Sequence, residues 1–477
     1  MKKAALHNLG CKVNSYEMDV IQQMLIENGY QIVAFDEFAD IYIVNTCTVT
    51  NIADRKSRQM LHRAKQKNPD AIVVAVGCYV QTRKDQIAMD PGIDLAIGNN
   101  RKKDLVKLLE EYLNKRKKGL EADGESGKQS QSAENAGIPD MDEVYEYEEM
   151  TLKKTAEHTR AYIKIQDGCN QFCSYCAIPL ARGRVRSRPL EDIMHEIQGM
   201  VTAGYQEIVL TGIHISSYGI DFDKAAWQQG QSVVMHRSRE RRDYSGDSKL
   251  IDLVEKIHEI PGLKRIRLGS LEPRIITEET AERLAALPKV CPHFHLSLQS
   301  GCDQVLLRMN RHYTTEEYYT SVTLLRKFFE HPAITTDVIV GFPGETEEEF
   351  AITKSFLKKT GFYEMHIFKF SKRSGTRAAV MPGQLTEAVK GERSNELLTL
   401  NREQSAAFRS FYLGQTVEVL LEERKELGGK IYWLGHTPAY LRVAVEDSAA
   451  FRSNLIVRVG VRDFLTEEIL TGDIITQ

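Results

Sequence analysis

From residue 155 onward the chain repeats one pattern six times, a short β-branched run followed by an amphipathic helix. The runs are AYIKIQDG, EIVLTGI, RIRLGSL, FHLSLQS, TTDVIVGF and MHIFKFS. Strand–helix alternation implies a parallel sheet whose faces are covered by the crossover helices. Six units are too few to close an eight-fold barrel, so residues 155–385 are expected to form an open, partial (β/α)6 barrel. Such barrels gather their ligands at the carboxyl ends of the strands. The segment CNQFCSYC begins just after the first of the six strands and places Cys169, Cys173 and Cys176 at that end.

The first 114 residues alternate in the same way, with AALHNLG, QIVAF, IYIVNT, AIVVAVG and DLAIGN as strands. They predict an open parallel α/β domain over 1–114. Cys11, Cys47 and Cys78 each follow one of these strands. The carboxyl ends of strands form the ligand crevice of an open parallel sheet, so residues distant in sequence converge there. Residues 115–154 are polar, charged and poor in aliphatics, which predicts a flexible linker. Residues 386–411 read as a helical connector. From 412 the period changes to two in QTVEVLLEE, KIYWLGHT, AYLRVAVED and NLIVRVGVRDF, which predicts a small β-barrel over 412–477. The fold class is α/β with this all-β appendage.

Apolar residues make up 42% of the 477 positions, enough for several cores. A net charge of -3 excludes a chain that is basic throughout, so any nucleic-acid contact must come from local patches. No run approaches the ~18 apolar residues of a bilayer span. The start, MKKAALHNLGCKVN, lacks the core of a signal peptide. The expectation is a soluble, cytoplasmic protein with no membrane partner. In a reducing compartment its eight cysteines suit metal ligation or burial better than disulfides.

A structural zinc site normally closes with four protein ligands, and the Cys-x3-Cys-x2-Cys loop offers three. Ferredoxin-type clusters also use four cysteines. Three thiolates on one face of a 4Fe-4S cube leave one iron open to a non-protein ligand. This loop at the mouth of a partial barrel resembles the radical S-adenosylmethionine (SAM) superfamily, where the amino and carboxylate groups of SAM chelate the open iron. A narrower resemblance covers almost the whole chain. GCKVNSYE, NTCTVT, VGCYVQ, GCNQFCSYCAIPLARGRVRSR and the β-rich end are similar to the MiaB/RimO-type methylthiotransferases, whose last domain is called TRAM. NTCTVT and TGIHISSYG resemble most the branch acting on threonylcarbamoyladenosine in tRNA, and less those acting on isopentenyladenosine or a ribosomal protein.

The resemblance implies conversion of N6-threonylcarbamoyladenosine at position 37, in the tRNA anticodon stem-loop, to its 2-methylthio derivative. One SAM would provide the radical that takes hydrogen from C2, and a second would methylate the sulfur. It implies a SAM-binding 4Fe-4S cluster on Cys169, Cys173 and Cys176 and an auxiliary one on Cys11, Cys47 and Cys78, facing one cavity. A reducing partner such as a flavodoxin is implied as well; the sulfur donor is not legible. Thr211 and Gly212 match the family's contact for the methionine amino group. Ser270 and Glu272 suit the ribose hydroxyls. Ile178 and the turn VGFPGE, with Gly341 and Glu345, are placed to bracket adenine.

Arg182, Arg184, Arg186 and Arg188 alternate, so an extended chain would present all four guanidiniums on one face. Beside the cysteine loop they are expected to grip RNA phosphates. Residues 54–67 carry six basic residues and one acid, as readily a solvated helix face as an RNA contact. From 412 onward seven Lys/Arg face ten Asp/Glu, leaving RNA binding there to a small face such as Tyr432, Trp433, Arg442 and Arg458. Cys291 and Cys302 read as structural. Residues 220–246 depart from the family's short loop and read as a surface insertion.

Overall fold

The computed structural model describes residues 2–123, 134–135, 138–154, 159–222 and 248–475. Strands β1 (Lys3–Asn8), β2 (Gln31–Val33), β3 (Ile41–Thr46), β4 (Ile72–Gly77), β5 (Leu95–Ile97) and β6 (Glu134–Asn135) form one parallel sheet, ordered β2-β1-β3-β4-β5-β6. β3 and β4 are buried at every position, as continuous apolar runs are when helices cover both faces.

The central strands are β7 (Ala161–Asp167), β8 (Arg186–Ser187), β9 (Glu207–Gly212), β10 (Arg265–Leu268), β11 (His293–His295), β12 (Ala333–Val340) and β13 (Glu364–Lys369). Two hydrogen-bonded sets, β10-β9-β7-β8 and β11-β12-β13, are joined by the bridges Ile266–Val290 and Leu271–Leu296. The parallel strands therefore follow chain order around an open arc, as the alternation predicts. β8 is an antiparallel addition on the β7 edge that the sequence did not announce. Helix Lys12–Glu27 lies against β7, and its Tyr16 and Ile21 share an apolar core with Ile163 and Ile165. Arc and N-terminal sheet are thus packed as neighbours.

β14 (Thr416–Leu427), β15 (Lys430–His436), β16 (Arg442–Glu446), β17 (Ile456–Phe464) and β18 (Ile469–Ile474) close a barrel in the order β14-β15-β16-β18-β17. β18 is not announced by periodicity because ILTGDI is short and carries Gly472 and Asp473. This barrel covers the starts of the central strands. Arg160, just before β7, pairs with Glu422 at 3.1 Å. Arg265 and Arg267 of β10 donate to the carbonyls of His436 (3.1 Å) and Pro438 (2.9 Å). The Tyr440 ring stacks on His293 of β11 at 4.7 Å. The opposite mouth, at the strand ends, is the one bearing Cys169.

The segment 115–154 is not simply a linker. Helix Leu105–Asp123 runs into it, and Met141, Glu148, Met150 and Leu152 are buried. The strap is held largely through its backbone. Tyr16 Oη donates to the Met150 carbonyl at 2.5 Å, and Leu152 N donates to Glu196 at 2.9 Å. Alternate anchors in an otherwise acidic stretch give composition little to read. Residues 223–246 of the expected insertion lie outside the described residues. Among the described residues no helix is long and apolar enough to cross a membrane.

Candidate active site

β7 ends at Asp167, and Gly168 turns the chain with a φ of +69°. A side chain there would meet the Arg184 carbonyl oxygen at 1.8 Å, so glycine lets the cysteine loop close on residues 183–184. Cys169 N then donates to the Gly183 carbonyl at 3.0 Å. Cys176 N donates to the Cys173 carbonyl at 3.0 Å, a turn that brings the third thiol back to the others. Donors aim at the sulfurs. Gln171 N lies 3.4 Å from Cys169 Sγ, Ile178 N 3.5 Å from Cys176 Sγ, and Arg311 Nη1 3.2 Å from Cys173 Sγ. Burial, then the neighbouring thiol Cys173, pushes Cys169 up to about 12. Cys176 is raised for the same two reasons. Crowded, half-buried thiols carry charge most readily when a shared cation neutralises them, and N–H groups aimed at sulfur suit iron–sulfur sites. The residues fit a cluster held by three thiolates.

The second trio is built from three strand ends. Gly10, at φ +111°, lets Cys11 approach Cys47, since a Cβ there would lie 3.2 Å from Cys47 Sγ. Cys78 opens the short helix after β4, and Asn99 Nδ2 lies 3.6 Å from its sulfur. Burial pushes Cys47 up to about 12, and Cys78 and Cys11 add to the rise. Cys11 is raised by burial against the pull of Arg182. Cys11 is solvent-accessible. This donor set fits a second three-thiolate cluster in the same way. Cys291 and Cys302 are buried and belong to neither set.

Cys169, Cys173 and Cys176 open on a cavity of about 300 Å³ that the loop after Cys47 also reaches. Val49 and Thr50, from the loop after Cys47, line it together with Cys169, Cys173 and Cys176. Of the residues expected around SAM, Ile178, Ser270 and Glu272 also line it. Glu272 spends one carboxylate oxygen on Arg274 (2.8 Å), and its buried Oε2 has no partner. Thr211 and Gly212 do not reach the cavity; Ile213 and His214 do. Gly341 and Glu345 are a correction as well. Glu345 turns inward, accepts from Gly341 N at 2.7 Å and pairs with Arg393 at 2.7 Å, so it closes its own turn.

Three of the four arginines expected to grip RNA are buried. Arg182 Nη1 donates to Glu17 (2.8 Å) and to Asp167 (3.0 Å), and its Nη2 donates to Asn14 (2.7 Å). Arg186 Nη1 donates to the carbonyls of Arg182 (2.8 Å) and Arg184 (3.0 Å). Arg188 pairs with Glu196. The alternation assumed an extended chain, but Arg182 ends the helix Ile178–Arg182 and Gly183 reverses direction at φ +66°. Only Arg184 is not buried; it is half-buried, its guanidinium 4.5 Å from the Phe172 ring. Tyr432 of the last barrel is buried too, and so is not free to stack on a base. Arg311, Gln299 and Asp337 also line the cavity, and sequence reasoning missed them. Asp337 had a signal: an acid inside the apolar run TTDVIVGF must face a lumen or a partner.

An open arc of six parallel strands with three cysteines after the first defines the radical SAM class. Two family models match, the Radical SAM superfamily over residues 163–357 and "Uncharacterized protein family UPF0004" over residues 3–98. The chain is 39% identical to the threonylcarbamoyladenosine tRNA methylthiotransferase MtaB of Bacillus subtilis over 93% of its own length and 90% of that protein's. It is 33% identical to the tRNA-2-methylthio-N(6)-dimethylallyladenosine synthase of Pelotomaculum thermopropionicum, covering 91% of the chain and 89% of that protein. Among solved structures, the methyltransferase TsrM of Kitasatospora setae, with cobalamin and a 4Fe-4S cluster bound, shares the fold. The TM-score is 0.52 at 18% identity, over 80% of this chain and 77% of that one. The chain belongs to the radical SAM methylthiotransferase family, whose chemistry uses SAM and iron–sulfur clusters.

Proposed function

We propose that this enzyme converts N6-threonylcarbamoyladenosine at position 37 of tRNA to its 2-methylthio derivative, consuming two SAM molecules. The observation that carries the reading is the meeting of the barrel's cysteine trio and the loop after Cys47 at one cavity. Cys169, Cys173 and Cys176 would hold the SAM-binding 4Fe-4S cluster, and Cys11, Cys47 and Cys78 the auxiliary one. Bound there, these groups supply hydrogen abstraction from an unactivated C–H bond and the sulfur that replaces the hydrogen. Gln171, Ile178 and Arg311 orient the first trio's sulfurs, and Asn99 supports Cys78. Ile178, Ser270 and Glu272 line the SAM side of the cavity. The MtaB name of relatives from Bacillus, Aquifex, Thermotoga and Chlamydia favours threonylcarbamoyladenosine over dimethylallyladenosine. A flavodoxin-like reductant and a cytoplasmic setting complete the proposal. The test is nucleoside mass spectrometry of tRNA from a strain lacking the gene. Loss of 2-methylthio-N6-threonylcarbamoyladenosine, restored by the gene, is the expected result; an unchanged level refutes the reading.

With three arginines of the cysteine loop buried, RNA contact shifts to helix Asn51–Lys67. It begins beside the cavity-lining Thr50, which caps it by accepting from Ala53 N at 3.1 Å. Lys65 pairs with Asp94, and Arg63 and Lys67 with Asp36. Arg55, Lys56 and Arg58 stay exposed, with no such pair among the described residues. Replacing these three by Ala should weaken tRNA binding by about tenfold. It should also flatten log Kd against log salt by about 2, since each phosphate left unneutralised takes ~0.7–0.9 from the slope. An unchanged salt slope in a filter-binding titration would remove this helix from the interface.

A further inference from the structure

Three ionisable side chains on adjacent barrel strands hold neither cysteine trio in place. His295 ends β11, Asp337 lies within β12, and His366 sits near the start of β13. Each interrupts an otherwise largely apolar run. One ligand-type atom from each lies within 4.8 Å of the other two. Register sets Asp337 directly beside His366. His295 Nδ1 lies 3.0 Å from Thr335 Oγ1, which fixes the ring and turns Nε2 toward Asp337 Oδ2 at 3.4 Å. The two imidazoles stack with centroids 5.8 Å apart. Asp337 lines the cavity that holds the cysteines, so the group opens on the reaction space. Lys12, the residue after Cys11, lies within electrostatic range of Asp337 and Tyr440.

Among the described residues, the Asp337 carboxylate has no ion-pair partner but His295, the His366 ring has no hydrogen bond, and Lys12 has no ion pair. His366 and Lys12 are exposed and Asp337 half-buried, so these side chains are open to a guest, and the local charge selects it. The Lys12 ammonium, within electrostatic range of Asp337, disfavours a bound cation. Two imidazoles and an ammonium suit a carboxylate, while Asp337 can accept from a hydroxyl or a urea N–H.

We propose that His295, Asp337, His366 and Lys12 form the pocket for a carboxylate-bearing, hydroxylated N6 substituent of the target adenosine and so set substrate choice. The inference rests on the substrate reading above. An aliphatic N6 substituent leaves all four groups unpaired. A site built to hydrogen-bond its substrate rejects such an analogue by factors on the order of 10⁴.

The test uses the reconstituted full chain and anticodon stem-loop RNAs bearing threonylcarbamoyladenosine, its threonine methyl ester, or isopentenyladenosine. Product is quantified by mass spectrometry as kcat/KM. The wild-type enzyme should prefer the free carboxylate over the ester by about 100-fold, the worth of charge-assisted hydrogen bonds. In His366→Leu that preference should fall to about tenfold or less, because enzyme and substrate variants remove the same interaction. His366 is exposed and makes no hydrogen bond, so the substitution leaves the fold intact; Lys12→Met provides an independent second case. Equal losses on both RNAs, with the preference unchanged, assign these residues a structural role and overturn the proposal. So does a divalent ion beyond the cluster iron that disappears in Asp337→Asn. A wild-type enzyme that modifies isopentenyladenosine RNA and ignores the threonylcarbamoyl RNA overturns the substrate reading itself, whatever the variants do.

Discussion

Cys173→Ala and Cys47→Ala should both abolish methylthio product, for different reasons. The Cys173→Ala enzyme should form no 5′-deoxyadenosine from SAM under anaerobic reduction. The Cys47→Ala enzyme should still form it and release no methylthiolated RNA. The division follows from where each thiol sits. Cys173 belongs to the barrel loop, oriented by Arg311 at 3.2 Å, and two thiolates are too few to hold a cluster that SAM must also ligate. Cys47 lies in the N-terminal sheet, on a loop anchored independently of its thiol. Its backbone N and O both meet Ser57 Oγ, at 3.2 and 3.1 Å, and Thr48 donates to Asp54 at 2.7 Å. Alanine at 47 therefore keeps the cavity wall formed by Val49 and Thr50 and removes only a ligand. Iron content and electron paramagnetic resonance should show one cluster missing in each variant, a different one each time. Two variants that both lose SAM cleavage would dissolve the assignment of separate roles.

What was legible beforehand divides by the range of the physics involved. Strand periodicity and the spacing Cys169–Cys173–Cys176 are local, and both are read directly. So is the placement of Cys11, Cys47 and Cys78 at strand ends, because an open parallel sheet sends its strand ends to one crevice. The arginines show where this stops. Alternation at 182, 184, 186 and 188 promised one charged face, yet a single glycine with positive φ turned three of the four inward. Whether an arginine is buried depends on acids elsewhere, here Glu17, Asp167 and Glu196, and no pattern within the segment reports them. The strap through Met150 and Leu152 was illegible for a related reason: its hold is mainly backbone hydrogen bonding, which composition does not record. Asp337 and the two histidines were visible as polar intrusions in apolar strands. Their convergence needed the register of β11, β12 and β13.

Arg182→Met should lower the unfolding free energy by about 3 kcal/mol and leave the salt dependence of tRNA binding unchanged. The side chain is fully buried and links helix Lys12–Glu27 to β7. Glu17 meets Arg182 at 2.8 Å, Lys164 at 2.8 Å, and Lys102; Asp167 meets Lys164 at 2.7 Å and Arg182 at 3.0 Å. Burial opposes charge on Glu17, but Arg182, Lys102 and Lys164 together hold its carboxyl well below the usual range. Asp167 is held down in the same way by Arg182 and Lys164. Removing one partner from a buried ion network costs about 3–5 kcal/mol, because the others stay desolvated. The lower end applies here, since both acids keep Lys164. The sign with pH follows from the depressed carboxyls. The network's contribution is fully present above their unfolded pKa of about 4 and is lost as pH falls toward the native values. The wild-type advantage over Arg182→Met should therefore shrink in acid. Arg182 also lowers the pKa of Cys11 and Cys47, so the variant should assemble the N-terminal cluster less readily than the barrel cluster. If Arg182 gripped RNA instead, the variant would keep wild-type stability and lose about one unit of salt slope. Chemical denaturation at two pH values, set beside a salt titration of tRNA binding, separates the two roles in one preparation.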